Sequence, residues 1–123
     1  MQHTLEVFSD DKLIFWSDGK WLHPLFELEE FLRQQNCDPS SLIIKDKIVG
    51  KAAALIHIYL GFKTVKAGLI SELGKEIFDH FQIYYKYEKF VDRIQCRTEK
   101  MLKDEFDPEK AYRLIKALRS EIK

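Results

Sequence analysis

The chain alternates between short runs of β-prone residues and segments in which apolar residues recur every three or four positions. Thr4–Trp16 has β-prone residues on both sides of the polar stretch Ser9–Lys12, which predicts a β-hairpin. Pro24 then begins a segment that ends near Gln35–Asn36 and has helical period, with apolar residues at Leu25, Leu28, Phe31 and Leu32. The first third of the chain is therefore predicted to form two strands and a helix.

The middle of the chain predicts a strand that leads directly into a helix. Leu42–Ile44 is a continuous apolar run, which is typical of a strand covered on both faces. Asp46 follows this run and is expected to cap a helix that Ala52–Ile56 propagates. Gly61 is expected to end that helix in the left-handed conformation.

The strand and helix then repeat. Lys63–Ile70 is β-prone, and Ser71 is placed to begin a short amphipathic helix. Ile83–Val91 is rich in tyrosine and phenylalanine and is predicted to be the last strand of the sheet. After a charged stretch at 92–106, which we expect to be irregular or helical, Asp107–Pro108 begins a final amphipathic helix.

This order, β-β-α-β-α-β-α-β and then a helix, indicates an α/β fold. Strands that alternate with helices form a mostly parallel sheet through right-handed crossovers, and the opening hairpin makes the sheet mixed. We expect one domain over 1–123, with an α/β core at 1–92 and a charged segment with an amphipathic helix at 93–123.

Charge and composition narrow the classes of function. Twenty basic side chains balance twenty acidic ones, so the chain as a whole shows no basic excess and nucleic acid is a minority interpretation. No run is apolar enough to span a membrane, and the N-terminus has no leader pattern. Cys37 and Cys96 lie far apart and indicate free thiols in a reducing compartment, so we expect a cytoplasmic protein.

The candidate site lies where the two strands of the middle region end. Asp46–Lys51 and Ser71–Lys75 each contain a capping residue, then a glycine and then a lysine. If their strands are parallel neighbours, both helix starts lie at one edge of the sheet, where free N–H groups attract anions. We therefore predict a small anionic ligand bound by Asp46, Lys47, Lys51, Ser71 and Glu72. The alternative is that the caps, glycines and lysines serve only the ends of the helices.

Other chemistry has less support in the sequence. The phosphate-binding pattern GxxxxGK[ST] and a nucleophilic GxSxG are both absent, and the four histidines lack the spacing of metal ligands, so we predict no metal and no cofactor. His57 is expected to be a buried, hydrogen-bonded packing residue. Arg97, with Arg93, either closes over an anion or lies on a solvated charged face.

Three segments carry a resemblance to a known family: Asp46–Ala54, Leu69–Glu72 and the pair Ile94 and Arg97. Together they resemble an uncharacterised prokaryotic family, domain of unknown function 1893, over most of the chain up to about Arg97. The resemblance implies a cytidine-deaminase-like fold, a three-layer α/β/α sandwich around a five-stranded mixed sheet. It also implies that a site would lie at the helix starts.

The same resemblance sets limits on the chemistry. True deaminases hold zinc through His/Cys-x-Glu and Pro-Cys-x-x-Cys at the starts of two helices. The matching places here, Trp21–Pro24 and Asp46–Lys51, do not contain those ligands, and the family's later Cys-Pro-x-Glu pattern is missing after Arg97. The chain is thus expected to be a divergent or inactive member that binds a small anionic, nucleotide-like ligand. The alternative is a non-enzymatic module that forms a homo-oligomer or contacts a protein through its last strand or C-terminal helix.

Overall fold

The strands and helices follow the predicted order. The computed structural model describes residues 3–94, 98, 101–102 and 104–122. Of these, residues 120–122 are described by their backbone alone. Its elements are β1 Leu5–Ser9, β2 Lys12–Ser17, α1 His23–Gln35, a 3-10 turn Pro39–Ser41, β3 Ile43–Val49, α2 Lys51–Leu60, β4 Thr64–Ser71, α3 Glu72–His80, β5 Tyr84–Val91 and α4 Pro108–Ile122. Parts of the predicted charged stretch at 92–106 lie outside the described residues.

The five strands form one mixed sheet in the order β2-β1-β3-β4-β5. β1 pairs antiparallel with β2 and β3, whereas β3, β4 and β5 are parallel. The predicted mixed sheet is therefore confirmed. Because β3 and β4 are parallel neighbours, their carboxyl ends lie at the same edge, as the candidate site requires.

Helices α1, α2 and α3 pack on one face of the sheet. Val7, Ile44 and Val65 lie side by side on that face and are fully buried. Contacts from the same face reach each of the three helices: Phe15 with Phe31 of α1, Asp46 with His57 of α2, and Tyr85 with Phe78 of α3. The opposite face of the sheet exposes Trp16, Lys66, Tyr84 and Lys86.

Helix α4 forms an outer layer over α1 and α2. The Tyr112 hydroxyl donates to the Glu29 carboxylate, with O···O distances of 2.6 and 2.8 Å, and the Tyr112 ring stacks on Tyr59 at 4.1 Å. Burial, and then the hydrogen bond to Glu29, raise the pKa of Tyr112 well above its usual value. The apolar residues Ala111, Ile115 and Leu118 of α4 are buried. These contacts stabilise the position of the C-terminal helix on the helical layer.

Among the described residues, the layers differ from the expected α/β/α sandwich, whose helices would cover both faces of the sheet. The observed order is sheet, then α1–α3, then α4. The connections β2-α1-β3, β3-α2-β4 and β4-α3-β5 each join two parallel strands, and all three move in the same direction across the sheet. Right-handed crossovers that step the same way place their helices on the same face. Within the part of the chain that the structure describes, no helix has the length and apolar character needed to cross a bilayer.

Candidate functional site

The first strand-to-helix junction differs from its prediction. β3 continues through Val49, so Asp46 lies within the strand, opposite Leu5 of β1 and Ala67 of β4. The N-cap of α2 is Gly50, and no side chain caps this helix. The prediction that Asp46 caps α2 is therefore wrong. β-branched Ile48 and Val49 favour continuation of a strand that already pairs on both sides.

Asp46 instead forms a buried pair with His57. Its Oδ2 lies 2.9 Å from Nε2 of His57, and the side chains are 12% and 0% exposed. The prediction that His57 is a buried, hydrogen-bonded residue is confirmed. Because the imidazole holds one carboxylate oxygen from the core side, it fixes the orientation of Asp46.

The surroundings of His57 assign its tautomer. Its ring lies against Phe62 and Phe78, with centroids 6.4 and 6.1 Å away. Nδ1 is buried and has no hydrogen-bond partner among the described residues. A proton on Nδ1 would be a buried donor without an acceptor, whereas a proton on Nε2 is donated to Asp46. We therefore assign the neutral Nε2–H tautomer, with Asp46 as the acceptor.

A groove lies in front of Asp46, between the starts of α1 and α2. It consists of a cavity of about 300 Å³ and a neighbouring cavity of about 200 Å³, which share Trp21, Leu22, Ile48 and Ala53. We call the two together the α1–α2 groove. Its shared wall is apolar, and Trp21 and Ile48 are 36% and 54% exposed. Asp46 lines the larger cavity, where its carboxylate adds a polar group to an apolar wall.

Lysines line both parts of the groove. Exposed Lys20 and Lys47 line the larger cavity. Side chains alternate along a strand, so the Lys47 side chain lies on the face of β3 opposite to Asp46. Lys47 therefore lies at the border of the cavity and not at its centre. Lys51, the first residue of α2, lines the smaller cavity together with Gly50 and Thr98. It is 1% exposed, and its Nζ lies 4.5 Å from the centroid of the Phe106 ring.

The second junction is packed rather than open. The Ser71 hydroxyl accepts a hydrogen bond from the Gly74 N–H at 3.1 Å, so the predicted N-cap of α3 is confirmed. A Cβ on Gly74 would lie 2.9 Å from the carbonyl oxygen of Val49. Gly74 is therefore explained by the close approach of α3 to the end of β3. Ser71 is fully buried and Glu72 is exposed, and neither lines the two cavities.

The structure thus brings only part of the predicted set together. Asp46, Lys47 and Lys51 border the α1–α2 groove, and Arg97 lies outside the described residues. The predicted set did not include Lys20 or Trp21, and sequence reasoning missed the partnership of His57 with Asp46. The sequence contained a signal for the missed pair. If the strand continues to Val49, Asp46 lies on the same face as buried Ile44, which is the face that α2 covers.

A zinc centre of the deaminase type does not fit the starts of α1 and α2. These places hold Trp21–Pro24 and Gly50–Ala53, which contain one imidazole and no thiol. Across the described ranges, no three histidine, cysteine, aspartate or glutamate side chains are grouped closely enough to hold a metal ion. We derive no zinc-dependent step for this site.

Comparisons with known proteins identify the family. The model of the family described as "Domain of unknown function (DUF1893)" matches residues 2–118. The fold is that of a crystal structure of a DUF1893 family protein from Thermotoga maritima, with a TM-score of 0.81 and 24% identity over 93% of this chain and 79% of that one. Among curated proteins, none matches the chain. The chain belongs to the DUF1893 family.

Proposed function

We propose that this protein binds a small anionic, nucleotide-like ligand in the α1–α2 groove. The observation that carries the proposal is the Asp46 carboxylate, which the buried His57 holds in place and which lines an apolar-walled cavity of about 300 Å³. Ligand sites are commonly concave and mostly apolar, with a few fixed polar groups that orient the ligand. The groove has that composition.

Each part of the groove suits one part of such a ligand. The Trp21 ring offers a flat surface on which a base can stack. Asp46, whose Oδ2 accepts from His57, can accept a further hydrogen bond from an amino or hydroxyl group of the ligand. Lys20 provides exposed positive charge for a phosphate, Lys47 adds positive charge from the other face of β3, and the start of α2 at Lys51 adds N–H groups nearby.

A cytidine-deaminase-like fold, which the family resemblance implies, would favour the same location. Cytidine deaminases hold their metal at the starts of two helices, and the α1–α2 groove lies between two helix starts. A deaminase-like ancestry, with the binding place retained and the zinc ligands replaced, is therefore part of this proposal. Ser71 and Glu72, which belong to the packed second junction, have no role in the ligand site we propose.

Thermal unfolding with added ligands tests the proposal. The panel contains the four common nucleoside monophosphates, their nucleosides and inorganic phosphate. Binding at one hundred times Kd stabilises the folded state by about 2.7 kcal/mol, which raises Tm by roughly 10 °C in a domain of this size. We expect at least one monophosphate to raise Tm in this way, and its nucleoside to do so less.

Two variants and a matched control locate the effect. Trp21→Ala and the double variant Lys20→Gln/Lys47→Gln alter exposed groove residues and should remove most of the Tm shift. Glu72→Gln changes an exposed residue of the second junction and should retain the full shift. No shift with any monophosphate, or an equal loss in Glu72→Gln, would contradict the proposal.

An oligomer formed through β5 is the second candidate function. β5 is an edge strand, and its Tyr84, Tyr87 and Phe90 are 56%, 43% and 43% exposed. Exposed apolar side chains at a sheet edge favour contact with another chain. The buried apolar residues of α4 make the C-terminal helix a weaker choice. Light scattering over a concentration series tests this candidate, and a monomer at every concentration would remove it.

A further inference from the structure

The face of the sheet opposite helices α1–α3 carries a row of lysines. Lys45 of β3 lies directly opposite Lys66 of β4, and Lys66 lies directly opposite Lys86 of β5. Neighbouring strands are about 4.8 Å apart, so three ammonium groups follow one another across three strands. Like charges placed directly opposite each other destabilise a sheet. We call Lys45, Lys66 and Lys86 the lysine row.

The charges of the lysine row are not neutralised by close ion pairs. Among the described residues, no carboxylate oxygen lies within 4.0 Å of these three ammonium nitrogens. The acidic side chains around the row are Glu6 on β1, which lies directly opposite Lys45, Glu88 on β5, and Asp10 and Asp11 in the hairpin turn. Lys47 extends the basic surface toward the edge that holds the α1–α2 groove.

Aromatic rings lie beside the lysine row on the same face. Phe8 pairs with Ile43 next to Lys45, and Nζ of Lys45 lies 4.7 Å from the centroid of the Phe8 ring. Tyr84, two residues before Lys86, is 56% exposed, and Nζ of Lys86 lies 5.9 Å from its centroid. The face therefore combines exposed or half-buried rings with lysines that have no carboxylate within ion-pair distance.

We propose that this face binds single-stranded nucleic acid, with phosphates on the lysine row and bases on Tyr84 and Phe8. Proteins that bind single strands combine positive charge along the backbone with aromatic platforms for the bases, and a sheet surface can provide both. An acidic protein segment would neutralise the lysines but would leave the rings without a stacking partner. The balance of charge over the whole chain does not oppose this surface, because the lysine row and Lys47 outnumber Glu6 and Glu88 on the face itself.

Fluorescence anisotropy with labelled (dT)12 and (rU)12 tests the inference. A single strand that contacts three lysines should show a slope of log affinity against log salt of about −2. The triple variant Lys45→Gln/Lys66→Gln/Lys86→Gln should lose most of this slope and at least tenfold in affinity at low salt. Tyr84→Ala should weaken binding about fivefold or more and leave the slope unchanged.

A matched control distinguishes the contribution of this face to binding from the effect of the protein's net charge. Lys75→Gln/Lys110→Gln/Arg113→Gln removes the same charge from α3 and α4, on the helical side of the sheet, and should bind like wild type. The double variant Lys66→Gln/Lys86→Gln, which leaves Lys45 opposite Glu6, should unfold at an equal or higher temperature than wild type, because it relieves repulsion.

Three results would overturn the inference. The first is unchanged binding in the lysine-row variant. The second is full competition by poly-glutamate together with no effect of Tyr84→Ala, which would indicate an acidic protein partner. The third is self-association that disappears in the lysine-row variant, which would indicate a second copy of the chain on this face.

Discussion

The two strand-to-helix junctions contain the same order of a short polar residue, glycine and lysine, yet they are built differently. At the β4–α3 junction, Ser71 caps the helix, Gly74 touches the backbone of Val49, and Lys75 pairs with Asp79 at 3.1 Å. At the β3–α2 junction, the corresponding aspartate lies within the strand and bonds to His57. The residues at the β4–α3 junction stabilise the start of the helix, whereas those at the β3–α2 junction border a groove.

The difference comes from where each strand ends. β4 ends at Ser71, so the capping residue stands at the helix start. β3 extends three residues beyond Asp46 and leaves Gly50 as an N-cap without a side-chain bond. A shared sequence pattern therefore does not by itself indicate a ligand site. What distinguishes the site that we propose is a polar side chain fixed by a buried hydrogen bond, with a cavity in front of it.

Removal of Asp46 should have the largest effect on stability. Asp46→Ala leaves His57 buried at 0% exposure without its acceptor, which should lower the free energy of unfolding by about 2 kcal/mol. Asp46→Asn is the matched control, because its amide oxygen can still accept from Nε2, and it should lose less. Urea denaturation measures both. Equal losses in the two variants would show that the hydrogen bond is not what stabilises this position.

Gly74→Ala should break the packing of the second junction. The new Cβ would lie 2.9 Å from the Val49 carbonyl oxygen, and such overpacking costs about 1–3 kcal/mol, partly offset by the better helix propensity of alanine. We expect a net loss of about 1–2 kcal/mol by urea denaturation. Glu76→Ala, at an exposed position of the same helix, should change stability by less than about 0.5 kcal/mol. A neutral or stabilising Gly74→Ala would refute the close-approach explanation.

Ser71→Ala should isolate the cap of α3. It removes the acceptor of the Gly74 N–H and should lower the free energy of unfolding by about 1 kcal/mol. Ser71→Thr, which keeps an acceptor oxygen, is the control in the same melts. If the two variants are equally destabilised, the loss belongs to the buried volume at this position and not to the cap.

Gly50→Ser should produce the smallest change and the opposite sign. Gly50 has extended backbone, with φ −97°, a conformation that serine adopts readily, and the serine hydroxyl can accept from the first turn of α2. We expect a gain of a few tenths of a kcal/mol in the free energy of unfolding, measured without ligand. Destabilisation by more than about 1 kcal/mol would mean that this helix start needs the glycine for packing, as the second junction does.

The element order was predictable because local signals agreed with one another. Pro24, Gly61, Ser71 and Asp107–Pro108 mark helix ends with chemistry that does not depend on the rest of the fold. Asp46 was assigned wrongly because aspartate is also a good cap, and only pairing with β1 and β4 decides that the strand continues.

Other features depend on contacts that are distant in the sequence. The helices lie on one face because the three crossovers step the same way, which requires knowledge of the strand order. The lysine row depends on strand register, and a shift of one residue in a single strand would move its lysine to the other face. Trp21 and Lys20 join Asp46 only after α1 docks beside α2.

The central claim is that, of the two strand-to-helix junctions, only the β3–α2 junction takes part in binding the ligand. Titration of a nucleoside monophosphate into ¹⁵N-labelled protein, followed by amide and indole chemical shifts, tests it most directly. We predict saturable shifts at the Trp21 indole N–H and at the Gly50 and Lys51 amides, with Glu72 and Lys75 unchanged. Shifts centred on Glu72 and Lys75, or no saturable shift at the groove with any of the four monophosphates, would contradict the account.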